Sequence, residues 1–418
     1  MNQRIAIVGT GISGLTAAWL LQRRHEITVF ERDDRIGGHS HTVPMTEDGR
    51  EFGVDTGFIV FNRRTYPLFT RLLEILSVPT QPSDMSFSFR DDASGLEYGA
   101  PEPWRLFAQP ANLLRPTFHR MLREIMRFYR EATAWLGEAE EGVTLGDFLA
   151  RGRYSREFVE DHLYPVCAAI WSSPHAKMGE YPAAALFRFF QNHGLLSLTA
   201  RPRWRTITGG SHRYVEKLTA PFRDQIRTGT PVERVERDDA GVTILTAGGE
   251  PERFDQVVLA CHADQALAML AAPTPRENQV LGAFPYAANE TVLHSDTRLL
   301  PHRRLAWSSW NYHRGAGHDR AVTMTYDQNR LQRLRSRRRY LVTLNRTAGL
   351  DPSLVHVRMT YEHPQYDARA VRMQAAIDEF NGNNRTWFCG AYWGYGFHED
   401  GVRSGVAIGR GFDEELGT

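Results

Sequence analysis

Two short apolar runs, separated by a glycine-led segment, open the chain. Residues 4–8 and 26–30 form the runs, and residues 12–21 between them are long enough for an amphipathic helix. Apolar runs of four to eight residues are typical of buried strands, whereas longer periodic segments are typical of helices. The pattern therefore predicts a strand, a turn, a helix and a second strand that ends at Glu31.

A second ordered pattern occupies residues 226–270. Its apolar and polar positions predict a strand, a turn, a strand, a hairpin loop at residues 246–250, a third strand and a helix. The run at residues 256–261 is apolar without alternation, which favours a strand buried inside a sheet. Residues 86–204 are predicted to be mostly helical, and residues 266–384 to mix strands with helices.

Composition narrows the class of protein. A chain of 418 residues is too long for one simple core, so two domains are expected. The formal net charge of +1 argues against a nucleic-acid partner. Three cysteines (Cys167, Cys261, Cys389) have neither disulfide nor metal-ligand spacing, so we expect a reducing compartment and no metal site. The strand pattern that begins at Arg4 leaves no room for a signal peptide.

The turn after the first strand carries a dinucleotide-binding pattern. Gly9, Gly11 and Gly14 have the spacing G-x-G-x-x-G between a predicted strand and a predicted helix. These glycines allow a tight turn, a close approach to a pyrophosphate and close packing of helix on strand, and we place Ser13 with them. Free N–H groups at the helix N-terminus favour the anion. Glu31 lies 17 residues after Gly14, where a carboxylate binds ribose hydroxyls and disfavours NADP.

A second glycine pair follows the second strand, in the stretch RDDRIGGHSHT. Together with the first motif it resembles the extended fingerprint of FAD enzymes of the glutathione-reductase-like superfamily, especially the flavin amine oxidase and phytoene desaturase branch. The resemblance implies FAD as cofactor, with these residues near its ribose and diphosphate: Glu31, Arg32, Arg35, Gly38 and His39. At His39 amine oxidases usually carry arginine, and covalent attachment of flavin to His39 or His41 stays open.

The same resemblance assigns further stretches to FAD. In FGVDTGFIVFN, it places Thr56, Gly57 and Phe58 beside the isoalloxazine, with a type II hairpin turn as the alternative. It places Val232 near the adenine and Ala260 near the dinucleotide. The implied fold class is α/β, a glutathione-reductase-like Rossmann FAD domain with an inserted α+β substrate domain. The expected FAD domain comprises residues 1–85, 205–265 and 385–418, and the substrate domain comprises residues 86–204 and 266–384.

The C-terminal stretch FCGAYWGYGFHEDGVRSG, residues 388–405, holds five glycines and five aromatic residues. In the family such a segment runs along the flavin. This implies that Gly390 and Ala391 lie near the ribityl chain and that Gly401 and Val402 begin a helix beneath the ring, where N–H groups stabilise a reduced flavin. Four aromatic residues are expected to wall the substrate side: Tyr392, Trp393, Tyr395 and Phe397. An aromatic core strand followed by a loop is the alternative.

Two features argue against an amine substrate. Many amine oxidases hold a lysine near the flavin from the later part of the substrate domain, and residues 266–384 contain no lysine. The second position of their aromatic cage, three residues before Gly401, is His398, which suits proton transfer better. We predict His398 as the catalytic base, with Glu399 and then Tyr395 as alternatives. A core histidine bonded to the main chain is the structural alternative for His398.

Several stretches, among them TMTYDQNRLQ, EHPQYD and GFHEDGVRSG, resemble a bacterial group of FAD-dependent proteins linked to cyclopropane and methylated fatty-acid formation. That group is related to polyenoic fatty acid isomerases. The resemblance implies allylic desaturation of a methyl-branched, unsaturated fatty-acyl chain of a membrane phospholipid, on the route to furan fatty acids. Hydride would pass to flavin N5, and O2 would accept the electrons. A double-bond isomerase, a flavin amine oxidase and a non-catalytic flavin- or lipid-binding module stay open.

Two arginine-rich stretches bear on membrane contact. In residues 118–136 apolar positions at helical spacing lie beside four arginines, and residues 330–339 carry six arginines. A basic amphipathic helix can lie on anionic phospholipid. Because the chain has no run of about 18 apolar residues, we expect a cytoplasmic protein with peripheral contact to the inner membrane face. A core helix with a solvated basic face is the alternative.

Overall fold

The computed structural model describes residues 2–137, 140, 142–171, 175–197, 199, 201–316, 322–346 and 349–417. Its first layer is a five-stranded parallel sheet in the order β10-β2-β1-β14-β20. The strands are β1 (Arg4–Val8), β2 (Glu26–Phe30), β10 (Ile226–Arg227), β14 (Gln256–Leu259) and β20 (Thr386–Phe388). Three distant stretches of the chain therefore build one sheet, and the predicted strands at residues 4–8, 26–30 and 256–261 are confirmed.

A second, seven-stranded sheet has the order β19-β15-β18-β17-β16-β7-β8. Its strands are β7 (Phe87–Asp91), β8 (Leu96–Ala100), β15 (Tyr286–His294), β16 (Trp310–Arg314), β17 (Val322–Asp327), β18 (Leu341–Leu344) and β19 (Val355–Pro364). All neighbours are antiparallel except β16 and β7. The segment of residues 86–204, predicted to be mostly helical, thus begins with two strands that join the sheet of residues 286–364.

Three small sheets complete the strands. Two strands predicted in residues 226–270 are confirmed as β11 (Val232–Asp238) and β12 (Gly241–Thr246), and the additional strand β13 (Glu252–Phe254) pairs with β12. A hairpin comprises β3 (Thr42–Glu47) and β4 (Arg50–Asp55), and a further sheet has the order β5-β9-β6. These last strands are β5 (Phe61–Asn62), β6 (Thr80–Pro82) and β9 (Trp204–Ile207).

The helices lie against these sheets, and six of the fifteen in the described residues belong to residues 103–192. They are α1 (Ile12–Leu21), α2 (Pro67–Ile75), α3 (Pro103–Leu106), α4 (Pro116–Trp135), α5 (Leu145–Arg151), α6 (Arg156–Phe158), α7 (Tyr164–Trp171), α8 (Ala183–Asn192), α9 (His212–Thr219), α10 (Ala263–Met269), α11 (Pro275–Leu281), α12 (Gln328–Leu331), α13 (Ala368–Met373), α14 (Ile377–Phe380) and α15 (His398–Gly411). Among the described helices, none combines the length and apolar character needed to cross a membrane.

Helix α15 packs directly on α1, and glycine makes the close approach possible. A Cβ at Gly401 would lie 2.6 Å from Ile12, and one at Gly405 would lie 2.6 Å from the carbonyl oxygen of Ser13. Gly409 meets Leu20 in the same way. Because residues four apart share one face of a helix, these three glycines form a smooth stripe. The contact brings the N-terminus of α15 to the glycine turn before α1.

Candidate functional site

The amino-terminal glycine turn has the geometry that an anion site requires. Gly9 has φ +106° and its N–H donates to the carbonyl of Phe30 at 2.8 Å. A Cβ at Gly14 would overlap the carbonyl oxygen of Gly9, whereas one at Gly11 would meet nothing within 4 Å. Among the described residues, no side chain caps the N-terminus of α1. Open space therefore lies over the unpaired N–H groups of the helix, where a pyrophosphate fits.

Glu31 follows β2 directly and is nearly buried, with 8% of its surface exposed. One carboxylate oxygen accepts hydrogen bonds from the N–H of Thr10, at 2.9 Å, and from the Thr10 hydroxyl. The other accepts from the N–H of Asp33 at 3.0 Å. A carboxylate has about four acceptor positions, so a position remains for a ribose hydroxyl. Val232 begins β11 near by, because the N–H of Thr230 donates to the carbonyl of Glu31 at 2.8 Å.

The second glycine pair lies on the first turn. Gly37 donates its N–H to the Thr10 hydroxyl at 3.1 Å, and a Cβ at Gly38 would lie 3.1 Å from the Cα of Gly11. Arg35 donates to the carbonyl of Gly38 at 2.7 Å. Thr10 thus joins the glycine turn, the carboxylate and the second pair. The sequence analysis missed Thr10, because it occupies a variable position of the motif.

Three residues of the predicted FAD set have less specific surroundings. The Arg32 side chain is 61% exposed and pairs with Asp33 at 3.5 Å, so it lies at the rim. Ala260 ends β14 against the turn, and its Cβ would lie 2.9 Å from a Cβ at Gly14. Ser13 is buried in the first turn of α1, where its carbonyl faces Gly405.

His39 lies in a cluster of imidazole rings between the two large sheets. Its ring centroid is 5.3 Å from that of His363, 6.5 Å from that of His262 and 5.0 Å from that of Tyr361. Burial lowers the pKa of His39 and of His262 to about 4, and that of His363 to about 3. The Nε2 atom of His39 is buried and has no hydrogen-bond partner in the part of the chain that the structure describes. This orphaned polar atom, at the arginine position of the family, fits a bound group that supplies an acceptor.

Residues 55–58 join three parts of the chain. The buried Asp55 carboxylate accepts from the N–H and the hydroxyl of Ser211, both at 2.9 Å, and from Gln332 at 2.9 Å. Burial raises the pKa of Asp55 to about 6. The Thr56 hydroxyl contacts that of Tyr361 at 2.7 Å. A Cβ at Gly57 would overlap the carbonyl oxygen of His39.

The hairpin with a type II turn, the predicted alternative for this stretch, is not formed, because β5 pairs with β9 and Gly57 lacks the positive φ of such a turn. The hairpin of β3 and β4 ends at Asp55, and the next three residues pass beside the turn of His39. His41, the other histidine proposed for covalent attachment, has its Nδ1 2.9 Å from the Tyr361 hydroxyl. The roles of Thr56, Gly57 and Phe58 toward flavin stay predictions.

Hydrogen bonds to two side chains of α15 fix the segment of residues 388–405 in place. The N–H of Gly390 donates to the Ser404 hydroxyl at 2.9 Å, which fixes the strand end next to α15. Asp400 is nearly buried, and its carboxylate accepts from the N–H groups of Tyr395 and Phe397 at 3.1 and 3.0 Å. Ala391 follows Gly390 in a short turn, and Val402 is fully buried.

His398 is directed toward the dinucleotide-binding part of the chain. Its Nε2 lies 3.0 Å from the Ser40 hydroxyl and 3.2 Å from the Tyr214 hydroxyl. Its ring is stacked on Phe58, with centroids 3.5 Å apart and planes 11° apart. Burial lowers the pKa of His398 well below its ordinary value, so the ring is neutral. Ser40 and Tyr214 were missed by the sequence analysis, since both are distant in sequence and belong to no motif.

Glu399 has a clear structural role. Its two carboxylate oxygens accept from the N–H groups of Leu68 and Phe69, at 3.1 and 3.0 Å, at the N-terminus of α2. Burial raises the pKa of Glu399. Tyr395 lies on the opposite side, edge-on to Phe189 of α8 with ring centroids 5.4 Å apart. The three candidate bases are therefore divided between two sides, and which of them takes a proton stays a prediction.

The aromatic residues of the segment meet the helical layer and the start of β15. The Phe397 ring is nearly parallel to that of Phe189, with centroids 5.2 Å apart and planes 17° apart. Phe284 contacts Tyr392 and Trp393 at 5.1 and 5.5 Å between centroids. Phe397 also packs against the core cluster that contains α1. The roles of these four aromatic residues toward flavin stay predictions.

The sequence is similar to several known proteins over more than half of its length. The chain is 27% identical over 292 residues to a carotenoid phi-ring synthase of Streptomyces griseus, and 26% identical over 273 residues to the flavin-dependent L-tryptophan oxidase RebO of Lentzea aerocolonigenes. The matches cover 65% and 59% of this chain. The chain spans just over half the length of these relatives, 54% and 55%.

Solved structures agree over the whole chain. A putrescine oxidase double mutant has a TM-score of 0.71 at 17% identity, covering 99% of both chains. A CLA-producing fatty acid isomerase from P. acnes has a TM-score of 0.68 at 16% identity, covering 98% of this chain and 99% of that one. At such identities the structures support the fold, and the predicted fold class is confirmed. The family of flavin containing amine oxidoreductases matches residues 12–408. The chain therefore belongs to this family of FAD-dependent oxidoreductases, and its cofactor is FAD.

Proposed function

We propose that the protein oxidises an unsaturated fatty-acyl chain at an allylic position. The observation that carries the proposal is the aromatic contact between the segment of residues 388–405 and the residues that face it, Phe189 and Phe284. The aromatic rings at this contact carry no charge. An acyl chain is stabilised when it is buried against such apolar surfaces. A charged substrate would need a buried counter-charge there.

Asp400 and Arg403, two charged residues near this contact, are already engaged with each other. The Asp400 carboxylate accepts two main-chain N–H groups and pairs with Arg403 at 2.9 Å. Residues 266–384 contain no lysine, in contrast to many amine oxidases. The names of the fatty acid isomerase and of the carotenoid phi-ring synthase indicate apolar substrates for those proteins. These observations favour an acyl chain over an amine.

Oxidation removes a hydride and a proton from the acyl chain. FAD supplies the hydride acceptor at N5, and O2 finally takes the two electrons and becomes hydrogen peroxide. His398 is the proposed base. Its Nε2 is held by Ser40 and Tyr214, and among the described residues none forms a hydrogen bond with Nδ1, which is therefore the atom available for the proton. The lowered pKa keeps the imidazole neutral at neutral pH. Nδ1 can take a proton in the tautomer in which Nε2 carries the hydrogen and donates to a hydroxyl oxygen.

The finer proposal concerns the substrate. The resemblance to the bacterial group linked to methylated fatty acids favours a methyl-branched, monounsaturated chain of a phospholipid, on the route to furan fatty acids. A double-bond isomerase is the second candidate, because the fatty acid isomerase shares the fold over almost the whole chain. An isomerase would return the hydride to another carbon and would consume no O2.

The test is an anaerobic mixing experiment with the FAD-loaded protein. Phospholipids with methyl-branched or plain monounsaturated chains should bleach the oxidised-flavin absorbance and give a conjugated diene. Bleaching by amines alone would assign an amine oxidase, and double bonds that move without net bleaching would assign an isomerase. If no substrate bleaches bound FAD, the protein is a binding module. His398→Gln should retain FAD and slow the bleaching. The control His356→Gln, on β19 at a ring whose Nε2 lies 2.8 Å from the Ser295 hydroxyl, should change neither.

A further inference from the structure

The large apolar side chains that lie exposed are concentrated in one region. Among the residues that the structure describes they are Trp104 (61% exposed), Leu113 (57%), Leu114 (87%), Met126 (48%) and Leu305 (53%). The first four fall in or just before α3 to α4. Leu305 lies in a short turn that packs against α3, where Arg105 donates to the carbonyl of Trp307 at 2.7 Å. We name this set the apolar patch.

A groove extends the apolar patch along α4. It has a volume of about 550 Å³ and is lined by Pro116, His119, Leu122, Arg123 and Met126. The opposite face of α4 is buried, with Phe118, Met121, Ile125 and Phe128 in the core. The exposed apolar residues are therefore additional to those that the fold uses. An exposed apolar group of this kind marks an interaction site.

Several arginines around the apolar patch have no ion pair among the described residues, whereas Arg105 pairs with Glu102 at 2.9 Å and Arg120 with Glu157 at 2.7 Å. Arg115, Arg123 and Arg130 form no ion pair with any described carboxylate, and Arg303 and Arg304 lie exposed next to Leu305. The carboxylates of the region are engaged elsewhere. Glu124 accepts from Ser155 at 3.1 Å, and Glu131 pairs with Arg127 at 2.7 Å. The binding partner must therefore have an apolar layer that can bury these side chains and negative charges that can pair with the arginines.

We infer that the apolar patch docks on an anionic phospholipid bilayer. Leucine and tryptophan side chains enter the boundary between head groups and acyl chains, while arginines bind the phosphates. A second copy of this chain is a poorer partner. A two-fold interface places the same patch on both sides, and here arginines would face arginines without carboxylates to pair them.

The docking inference deepens the proposed function and rests on it. Helix α4 separates the apolar patch from α8, and Phe128 of α4 contacts Phe187 of α8 with centroids 5.4 Å apart. The neighbouring Phe189 contacts Tyr395 and Phe397. Docking would bring the phospholipid acyl chains to within two helices of the aromatic contact where the oxidation is proposed.

The second arginine-rich segment offers a matched control. In residues 330–339, Arg330 pairs with Asp84 at 3.4 Å, Arg337 with Asp48 at 3.4 Å, and Arg339 with Asp327 at 2.7 Å. No large apolar side chain of this described segment is exposed. It has the charge of the α4 region without its apolar patch. Charge reversal there tests whether binding depends on arginine alone.

The experiment is flotation of the FAD-loaded protein with vesicles of phosphatidylcholine alone or mixed with phosphatidylglycerol. Wild type should bind the anionic vesicles and release them at high salt. The double variant Leu113→Asp, Leu114→Asp should bind at least tenfold more weakly, and Arg115→Glu, Arg123→Glu should show a similar loss. The control Arg335→Glu, Arg338→Glu should change binding less than twofold. Each variant should keep the flavin spectrum and the melting temperature of wild type.

Three outcomes would overturn the inference. They are a wild type that ignores anionic vesicles, an aspartate variant that binds as wild type does, and a wild-type dimer that becomes monomeric in the aspartate variant. Bleaching by detergent-dispersed acyl substrate separates the two proposals. It should be equal in wild type and in the aspartate variant. Vesicle binding without any bleaching would reject the proposed function and leave docking in place.

Discussion

Two glycine-rich segments contribute to the candidate site, and they differ in whether the main chain or the side chains make the contacts. Residues 9–14 act through the main chain, since their contacts depend on a positive φ at Gly9, on the missing Cβ of Gly14 and on free N–H groups of α1. Residues 388–405 act through side chains, whose partners include Ser40, Phe69 and Phe189. Main-chain function follows from local sequence, whereas side-chain function depends on which distant residues surround the segment.

The largest expected effect is at the first segment. Gly14→Val should prevent folding of the dinucleotide-binding part, because its Cβ would overlap the Gly9 carbonyl oxygen and lie within 3 Å of Ala260. We expect insoluble protein or soluble protein without FAD, measured by the ratio of flavin to protein absorbance.

Gly11→Ala is the matched control for this prediction. A Cβ at Gly11 meets nothing within 4 Å, so the apoprotein should melt at the wild-type temperature. Its affinity for FAD should fall, because the methyl group enters the space proposed for the pyrophosphate. A Gly14→Val protein that binds stoichiometric FAD would contradict the comparison.

The next largest effect concerns Glu399 in the second segment. Glu399→Ala removes the acceptor of two main-chain N–H groups at α2 and should destabilise the protein by about 2–3 kcal/mol, since bonds to a charged acceptor contribute more than neutral ones. For a domain of this size that lowers the melting temperature by several degrees. The rate of flavin bleaching at saturating substrate should change less than threefold. A loss of a hundredfold or more at an unchanged melting temperature would instead identify Glu399 as the base.

A smaller effect is expected at the aromatic contact. Phe189→Leu should raise the KM for the acyl substrate about threefold to tenfold, because it weakens the wall that Phe397 and Tyr395 share. Phe187→Leu is the matched control on the same helix, since its ring contacts Phe128 and Phe148 instead. Both should cost similar stability, about 1 kcal/mol. Equal KM values for the two variants would argue against an acyl chain at Phe189.

The smallest effect is a dependence of stability on pH. Burial lowers the pKa of His39 and His262 to about 4 and that of His363 to about 3, whereas the unfolded chain titrates near 6.5. Between these values the unfolded state binds more protons, so stability falls as the pH falls. The apoprotein should melt a few degrees lower at pH 5 than at pH 7. His363→Gln should flatten this slope, and an unchanged slope would show that His363 does not contribute.

Features that depend on local sequence were predicted correctly, whereas features that depend on contacts between distant residues were not. The strands and helix of residues 4–30 were predictable, since short-range periodicity and glycine spacing specify them. Strands β7 and β8 were missed, because their place depends on pairing of β7 with β16, more than 200 residues away. The stripe of Gly401, Gly405 and Gly409 was available as a repeat of four residues, yet its partner α1 was not evident from the sequence. The domain boundaries and the roles of the site residues stay predictions.

The sequence by itself determined the dinucleotide-binding turn, the FAD resemblance and the strands at residues 4–8, 26–30 and 256–259, because glycine conformations and apolar periodicity are local properties. Only the tertiary structure decided the directions of His398, Glu399 and Tyr395, which lie within five residues of one another and yet face different partners. The start of α15 sets their rotation, and the packing of α15 on α1 selects which side meets Ser40 and which meets Phe189. Such choices depend on residues more than 100 positions apart, and no local pattern records them.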